Sequence, residues 1–277
     1  MRALPLATHL VTLLLIALLA TGCAGRSASE AEEEEPDEFA GVAEQQLYEE
    51  ARDALEGRRF TTAVTRLEAI DTRYPFGRHA EQAQLELIYA YYETNDWEAT
   101  RAAASRFIRL HPTHPQADYA LYMRGLASWQ AGRFSLERLR LIDISRRDLG
   151  ASRDAYSDFR ELVTRYPDSE YAPDAEQRIV YLRNLLARHE LHVADFYLRK
   201  GAYLAAVERG RWVIENYPES EATRDALATM VEGYLGLEMR DRAHEVLQVL
   251  IENDPGNERL RGRTFTPLHV EASALSA

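Results

Sequence analysis

The feature that most constrains this chain is a motif that recurs five times and ends each time in a proline. Its five copies end in Arg73-Tyr74-Pro75, Leu110-His111-Pro112, Arg165-Tyr166-Pro167, Asn216-Tyr217-Pro218 and Asn253-Asp254-Pro255. Fifteen residues before each proline lies a reference position: Phe60, Trp97, Ser152, Tyr203 and Arg240. Small or apolar residues dominate the positions 3, 7 and 10 residues after each reference, and these offsets share one face of an α-helix. Because proline cannot continue a helix, each copy predicts a helix that stops at its proline.

A tight turn and a second amphipathic stretch precede most of these helices. The turns include Glu56-Gly57-Arg58-Arg59 and Thr94-Asn95-Asp96. Six residues before the reference positions lie Ala54, Tyr91, Tyr197 and Tyr234. Small and aromatic residues at these offsets resemble the tetratricopeptide repeat, a helical hairpin with a period of about 34 residues. A single hairpin cannot bury its own apolar face, so we predict an all-α tetratricopeptide-repeat superhelix of about five stacked hairpins.

The repeats are unequal in length, since their prolines lie 37, 55, 51 and 37 residues apart. The extra residues fall in two places: Phe134 to Ala151 interrupt the third repeat between its helices, and the fourth repeat has an extended first helix, roughly Ala172 to Lys200. The predicted repeat boundaries are 39–77, 78–115, 116–170, 171–219 and 220–255, which together make one domain, 39–255. Residues 256–277 contain Pro267 and no clear periodicity, so we expect a mostly irregular tail.

The N-terminal residues 1–22 are typical of a signal peptide. An almost wholly apolar run, His9 to Ala20, follows Arg2, and its twelve residues would span about 18 Å as a helix, short of the roughly 30 Å membrane core. The small residues before Cys23 resemble the lipobox of bacterial lipoproteins, in which the cysteine receives a diacylglyceryl group and becomes the acylated N-terminus. Ala20 departs from that motif, which more often has leucine there. The alternative is an ordinary secretory signal with an incidental cysteine.

Residues 23–38 are predicted to form the lipidated end of the mature chain and an acidic tether. Cys23 is the one cysteine, so no intramolecular disulfide can form. The tether carries Glu30, Glu32 to Glu35, Asp37 and Glu38 and nothing apolar to bury, so we expect disorder. Ala24 stands where many inner-membrane lipoproteins have aspartate, which favours the outer membrane.

Several functions are disfavoured by the composition. The formal net charge is -12, whereas nucleic-acid binding needs a basic surface. No nucleophile-elbow glycine pattern or phosphate loop is present, so we predict a protein that is not an enzyme. His111 and His114 could suggest a metal site, but flanking prolines place them in a turn and no nearby carboxylate or third ligand is evident. We favour a structural turn, no metal, and no cofactor besides the covalent lipid.

A candidate binding surface lies on the first helices of the first three repeats. In this repeat class, residues 15, 12, 8, 5 and 4 positions before the reference face the concave side. In the third repeat the count runs from Phe134, where the insertion begins. Six aromatic side chains and one arginine occupy such positions: Tyr48, Arg52, Tyr89, Tyr92, Tyr119, Tyr122 and Trp129. They would suit a peptide with aromatic side chains and a carboxylate. The alternative is packing between helices, because aromatic residues are common core fillers in these repeats.

Several longer segments are specific to one family. They are Arg73-Tyr74-Pro75-Phe76-Gly77, Gln84 to Tyr92, Arg106 to Pro115, Asp118-Tyr119 and Tyr122-Met123-Arg124-Gly125. These segments closely resemble the BamD family, lipoproteins of the β-barrel assembly machinery that are also described as competence lipoproteins. Asp143, Ser145, Arg147 and Asp148 in the insertion look like a polar motif of the same family. The resemblance covers nearly the whole folded part, while the long acidic tether and the tail depart from it.

The resemblance implies a role in folding outer-membrane β-barrels, at the outer membrane and facing the periplasm. In this family the N-terminal repeats are thought to receive the aromatic-rich C-terminal signal of unfolded barrel proteins. The C-terminal repeats dock on a BamA-type barrel subunit, and BamC- and BamE-like lipoproteins are further candidate partners. For that docking we single out Arg209, which lies six residues after Tyr203 and outside the core offsets, so it should be exposed. The alternative is a solvated surface arginine.

Two other functions remain open on the sequence. A pilus or secretin-assembly lipoprotein could use the same repeat to bind a different partner. A cell-wall enzyme or peptidoglycan binder is a third possibility, but no catalytic constellation supports it.

Overall fold

The structure, a computed structural model, describes residues 38–133, 143–271 and 275–276. The chain divides into two compact units, residues 1–42 and 43–277, and the first is described only from Glu38 onward, where the chain makes a turn. In the described part of the second unit, ten α-helices follow one another: α1 Glu44–Glu56, α2 Phe60–Arg73, α3 Ala80–Glu93, α4 Trp97–Leu110, α5 Ala117–Ala131, α6 Gly150–Arg165, α7 Ala172–Arg199, α8 Tyr203–Asn216, α9 Thr223–Gly236 and α10 Arg240–Asn253.

The helices form a continuous stack of hairpins. Each helix packs against the next one along the chain, from α1 through α10. The first helices of adjacent hairpins are also in contact: α3 packs against α5, and α7 packs against α9. Five hairpins stacked in sequence order are the arrangement that the repeat pattern predicts, so the fold class is confirmed.

The predicted core positions are buried in all five repeats. Offset 3 holds Ala63, Thr100, Ala155, Ala206 and Ala243, all at 0% exposure. Offsets 7 and 10 hold Leu67, Ala104, Phe159, Gly210 and Leu247, then Ile70, Phe107, Leu162, Val213 and Leu250, and all are buried. These offsets therefore form the face of each second helix that packs in the core, as Ala155, Phe159 and Leu162 do in one cluster with Leu121 and Leu182.

Four of the hairpin turns share one backbone geometry. A residue with positive φ ends the first helix: Arg58, Asn95, Gly201 and Glu238. The amide of the following residue donates back into that helix. Arg59 donates to the Ala54 carbonyl at 2.8 Å, and Asp96 donates to the Tyr91 carbonyl at 3.0 Å. This is the bond pattern of a Schellman helix end. Asparagine and glycine adopt the left-handed region readily, whereas Arg58 and Glu238 do so at a cost of roughly 1 kcal/mol.

The two length irregularities lie close to where they were predicted. Helix α7 runs 28 residues, begins with a proline in its first turn and ends one residue before the predicted Lys200. In the insertion, residues 134–142 lie outside the described residues, and the rest forms one 3₁₀ turn, Ile144–Arg146, before α6. Ile144 and Leu149 pack against Leu185 and Leu186 of α7. None of the helices described here, α7 included, is both long enough and apolar enough to span a membrane.

The C-terminal tail contains a small antiparallel sheet that the sequence prediction missed. Strands β1 Leu260–Arg261, β2 Thr264–Phe265 and β3 Leu275–Ser276 pair in that order. Leu260 is opposite Phe265, which is in turn opposite Leu275. Phe265 and Leu275 are buried in the core of the last repeat. Strands of two residues are too short to show an alternating pattern, and their stability depends on packing against the helices.

A close helix approach in the third repeat provides a first prediction. A Cβ on Gly125 of α5 would lie 2.7 Å from the ring of Phe159, which is itself fully buried. We expect Gly125→Val to lower the free energy of unfolding by about 1–3 kcal/mol through overpacking, measured by urea denaturation. Gly256→Val is the control, since a Cβ there meets no atom within 4 Å. Equal losses in the two variants would contradict the close approach.

Candidate functional site

The seven predicted groove residues all lie on first helices and share one partly exposed surface. Helix α1 supplies Tyr48 and Arg52, α3 supplies Tyr89 and Tyr92, and α5 supplies Tyr119, Tyr122 and Trp129. None is fully buried, and Tyr89 is 39% exposed. Tyr92 and Tyr119 also pack on the core around Leu85 and Phe107. The surface and packing interpretations therefore both apply, because the rings cover the core with one face and meet solvent with the other.

At the N-terminal end of this groove, Tyr48 and Arg52 surround Glu86 of α3. The Tyr48 ring stacks on His79 with centroids 4.2 Å apart, and its hydroxyl donates to Glu86 Oε1 at 3.1 Å. Arg52 lies 3.6 Å from the same Oε1 and 3.5 Å from Glu56. The Tyr48 hydroxyl and the Glu86 charge raise the pKa of Arg52. The charge of Arg52 is thus already balanced, and a peptide carboxylate would have to compete for it.

Glu86 has an oxygen with no partner in the structure. Its Oε2 atom is buried and accepts no hydrogen bond from the described residues. Buried polar atoms without partners are rare in folded proteins. The atom has no contact with solvent, so it belongs to the packing between helices and is not a contact point for a ligand.

In the middle of the groove, aromatic rings pack edge-to-face. Tyr89 meets Phe60 edge-on at 5.9 Å between ring centroids, and Tyr92 meets Trp97 at 5.2 Å. The Tyr92 hydroxyl accepts a hydrogen bond from Gln130 of the next repeat at 3.1 Å. Burial raises the pKa of Tyr119, and the neighbouring phenols of Tyr171 and Tyr89 add to this effect. Tyr119 therefore lies close to side chains from the repeats on either side.

Helix α7 and Tyr171, the residue just before it, extend the groove with side chains that the sequence prediction missed. Tyr171 stacks on Tyr122 at 4.7 Å, and Tyr181 meets Trp129 edge-on at 5.2 Å. Asp174 accepts a 2.7 Å hydrogen bond from the Tyr122 hydroxyl, and the Arg178 guanidinium lies 5.0 Å from the centre of the Trp129 ring. Positions counted back from Tyr203 do not reach these residues, because α7 has additional turns at its start. Their spacing of 3, 4 and 3 residues along one helix face could have revealed them.

Tyr122 provides a pH-dependent prediction. Burial, together with the hydrogen bond to Asp174, raises the pKa of Tyr122 from 10.0 to about 12. The folded state therefore holds this proton more tightly than the unfolded state, so the stabilisation is complete below pH 10 and is lost as pH rises through 12. In an alkaline ultraviolet titration, the difference between wild type and Tyr122→Phe should be one phenol titrating near pH 12. A difference that titrates near pH 10 would show that the hydroxyl is free in solvent.

Arg209, the predicted docking residue, is partly exposed and also forms an ion pair within the chain. It lies on α8 with its guanidinium 2.8 Å from Glu190 of α7, and Glu190 is buried. The hydrogen bond that Arg209 donates to Glu190 raises the pKa of Arg209. The arginine side chain keeps 43% exposure, so part of it can reach a partner while its charge links α8 to α7.

The two turn histidines have a carboxylate neighbour that was not foreseen. Glu81 of α3 lies 3.4 Å from His111 Nδ1 and 3.7 Å from His114 Nε2, which corrects the expectation that no carboxylate is nearby. Both rings also pack against Phe107, at 4.9 and 5.2 Å between centroids. Within residues 38–133, 143–271 and 275–276, no group of three or more His, Cys, Asp or Glu side chains is arranged to hold a metal. The contacts are those of a packed turn.

Comparison with known proteins assigns the family. The model of the YfiO family, described as "Outer membrane lipoprotein", matches residues 41–249, from before α1 into α10. The outer membrane protein assembly factor BamD of Vibrio cholerae is 43% identical over 215 residues, 78% of this chain and 89% of that protein. This chain belongs to the BamD family. The BamD homologue of Xylella fastidiosa is 34% identical over 257 residues, 92% of this chain and 86% of its own.

The BamD family match includes every groove residue and Arg209. It ends before the C-terminal tail, in agreement with the departure noted from the sequence. Cys23 precedes the matched range and lies outside the described residues. Among solved structures, the tetratricopeptide-repeat domain of P58(IPK) aligns at a TM-score of 0.40 and 16% identity, over 77% of this chain and 52% of that one. The fold assignment therefore depends on the helix order and packing described above.

Proposed function

We propose that this chain is a non-enzymatic scaffold of the outer-membrane β-barrel assembly machinery, whose N-terminal groove binds the C-terminal signals of unfolded barrel proteins. Membership of the BamD family supports this, since the relatives are named outer membrane protein assembly factors. The observation that carries the proposal is the partly exposed aromatic surface on α1, α3 and α5. A surface of this kind suits extended segments rich in aromatic side chains.

The groove chemistry matches such a segment at two points. The exposed ring of Tyr89 and the partly exposed ring of Tyr122 would pack against the aromatic side chains of the signal, at about 0.5–1.5 kcal/mol for each ring pair beyond the buried area. The terminal carboxylate would displace Glu56 from Arg52, and that exchange costs little because an exposed helix pair is worth only about 0.3–0.5 kcal/mol.

The C-terminal repeats, in this proposal, dock on a BamA-type barrel subunit through α8. Two large apolar side chains on this helix, Leu204 and Trp212, are 61% and 50% exposed. They lie near Arg209 along the helix, and tryptophan and arginine are the residue types that most often dominate interfaces. Partners that resemble BamC and BamE stay predictions from the family resemblance.

The anchor in this proposal is a lipid on Cys23, which would hold the repeats at the periplasmic side of the outer membrane. Acyl chains bury methylenes at about 0.8 kcal/mol each, so two or more chains give stable attachment. We expect Cys23→Ser to abolish labelling by a fatty-acid probe, because it removes the one thiol of the chain. Labelling that persists in this variant would disprove the anchor.

Depletion with partner identification tests the function as a whole. When the protein is depleted, porin-type barrels should fail to reach the outer membrane, while an α-helical inner-membrane protein keeps its level. The protein purified from membranes should carry a large barrel subunit with periplasmic domains. Normal porin assembly, or a pilus secretin as the main partner, would contradict the proposal and favour the alternative lipoprotein role.

A further inference from the structure

The last two repeats carry a carboxylate at one of the concave positions. Eight residues before Tyr203 and Arg240 lie Asp195 of α7 and Glu232 of α9. The same offset gives Arg52 and Tyr89 in the first two repeats, where the side chains are exposed. Glu232 instead has no exposure at all. The difference is that the C-terminal tail covers it.

Glu232 is covered by backbone amides of the tail. Its Oε1 atom accepts hydrogen bonds from the amides of Leu268 at 2.7 Å, His269, and Val270 at 3.2 Å. Its other oxygen, Oε2, pairs with the guanidinium of Arg259. A buried carboxylate is tolerated only when such donors replace water. Three consecutive amides converging on one anion form the backbone concavity that proteins use to bind anions.

Two further contacts hold the same segment to the groove. His269 Nε2 lies 2.9 Å from Asp195 Oδ1, so the tail engages the carboxylates of both repeats. Phe265 is fully buried in the core of the last repeat, and the Arg259 guanidinium lies 4.9 Å from the centre of its ring. An aromatic anchor, a cation and a row of amides are the elements by which a groove recognises an extended peptide.

We propose that the concave face of the last two repeats is a second peptide-binding site, and that its ligand is the chain's own segment Asn257–Val270. The site differs in chemistry from the N-terminal groove: it offers carboxylates from Asp195 and Glu232, whereas the N-terminal groove offers aromatic rings. While the segment is bound, it covers the concave face of the last two repeats and leaves that of the first three uncovered. A partner that enters here must displace the segment with one of the same kind, basic and with an aromatic anchor.

Cutting the intact chain tests this site. A protease recognition sequence inserted after Gly256, where the structure is open, separates the segment from the repeats without removing it. A fluorescent synthetic peptide of residues 257–277 should then exchange with the bound fragment in a saturable way, while circular dichroism shows the helices intact. Loss of helix signal as the fragment leaves would mean that the segment is a structural part of the last repeat, and would overturn the proposal.

The carboxylate at the centre of the site sets the affinity. We expect Glu232→Gln to weaken binding of the peptide to the cut protein by roughly 10–100-fold, since charge-assisted hydrogen bonds are lost. Glu252→Gln, at an exposed position on α10, is the control and should change nothing. If Glu232→Gln fails to fold, a peptide carrying Arg259→Ala, tested on the unmodified cut protein, should show the same loss. Equal affinity for the two peptides would overturn the proposal.

Discussion

Asp158→Ala is expected to lower the free energy of unfolding by about 3 kcal/mol, the lower end of the range for breaking a buried ion pair. Asp158 of α6 is buried, and its carboxylate lies 2.7 Å from the guanidinium of Arg124 on α5. Burial raises the pKa of Asp158 even though the Arg124 charge lowers it, so the cost of removing this carboxylate from water is large. Removing it leaves Arg124 largely buried with Glu161, at 2.9 Å, as its remaining partner. Urea denaturation gives the value.

A surface ion pair that involves another aspartate of α6 is the control for this prediction. Asp154 lies 2.7 Å from Arg101, with 50% and 40% of the two side chains exposed. Exposed pairs contribute about 0.2–1 kcal/mol, so Asp154→Ala should have a small effect. Replacing both members of the buried pair with apolar residues, Arg124→Met with Asp158→Leu, should recover most of the loss. If Asp154→Ala and Asp158→Ala were equally destabilising, burial would not be the cause.

The second large effect concerns the aromatic groove. Tyr89→Ala combined with Tyr122→Ala is expected to weaken binding of a C-terminal barrel-protein peptide by roughly 10–100-fold, because two aromatic contacts of about 1 kcal/mol or more are removed. Fluorescence anisotropy with a labelled peptide measures the affinity. Tyr122→Phe keeps the ring and should bind nearly as well as wild type.

Tyr91→Ala is the control for the groove. Tyr91 follows Tyr89 by two positions on α3 and so points to the opposite side of the helix. Its hydroxyl donates to Glu68 of α2, in the preceding hairpin, at 2.5 Å. This variant should lose stability and keep affinity for the peptide. A double groove variant that is folded by circular dichroism and binds normally would show that the aromatic surface is not the binding site.

The fold could be predicted from the sequence because each repeat encodes it locally. The small residue at offset 3, the small or apolar residues at offsets 7 and 10 and the closing proline recur in every hairpin, and all these core positions are buried as expected. The long α7 was visible for the same reason, since an amphipathic pattern is continuous along a helix. The turns after α1, α3 and α9 follow from positions that recur with the repeat.

The details of the site were less predictable because they depend on contacts between distant residues. Arg52 pairs with Glu86, 34 positions away, and no local pattern relates them. Tyr171 and Tyr181 reach Tyr122 and Trp129 only because α7 begins earlier than the repeat requires. The tail amides find Glu232 across 36 to 38 residues. In each case the partner is set by how hairpins stack, which the offsets within one repeat do not specify.

Site-specific photo-crosslinking in living cells tests the proposed function most directly. A photoreactive phenylalanine derivative is placed at Tyr89 in the groove, or at Ala102, an exposed position on α4 of the same repeat. If the groove receives barrel-protein signals, the Tyr89 probe should capture the C-terminal segment of newly made outer-membrane proteins, and the Ala102 probe should not. Capture at Ala102 equal to that at Tyr89, or no capture of barrel proteins at Tyr89, would contradict the proposed role.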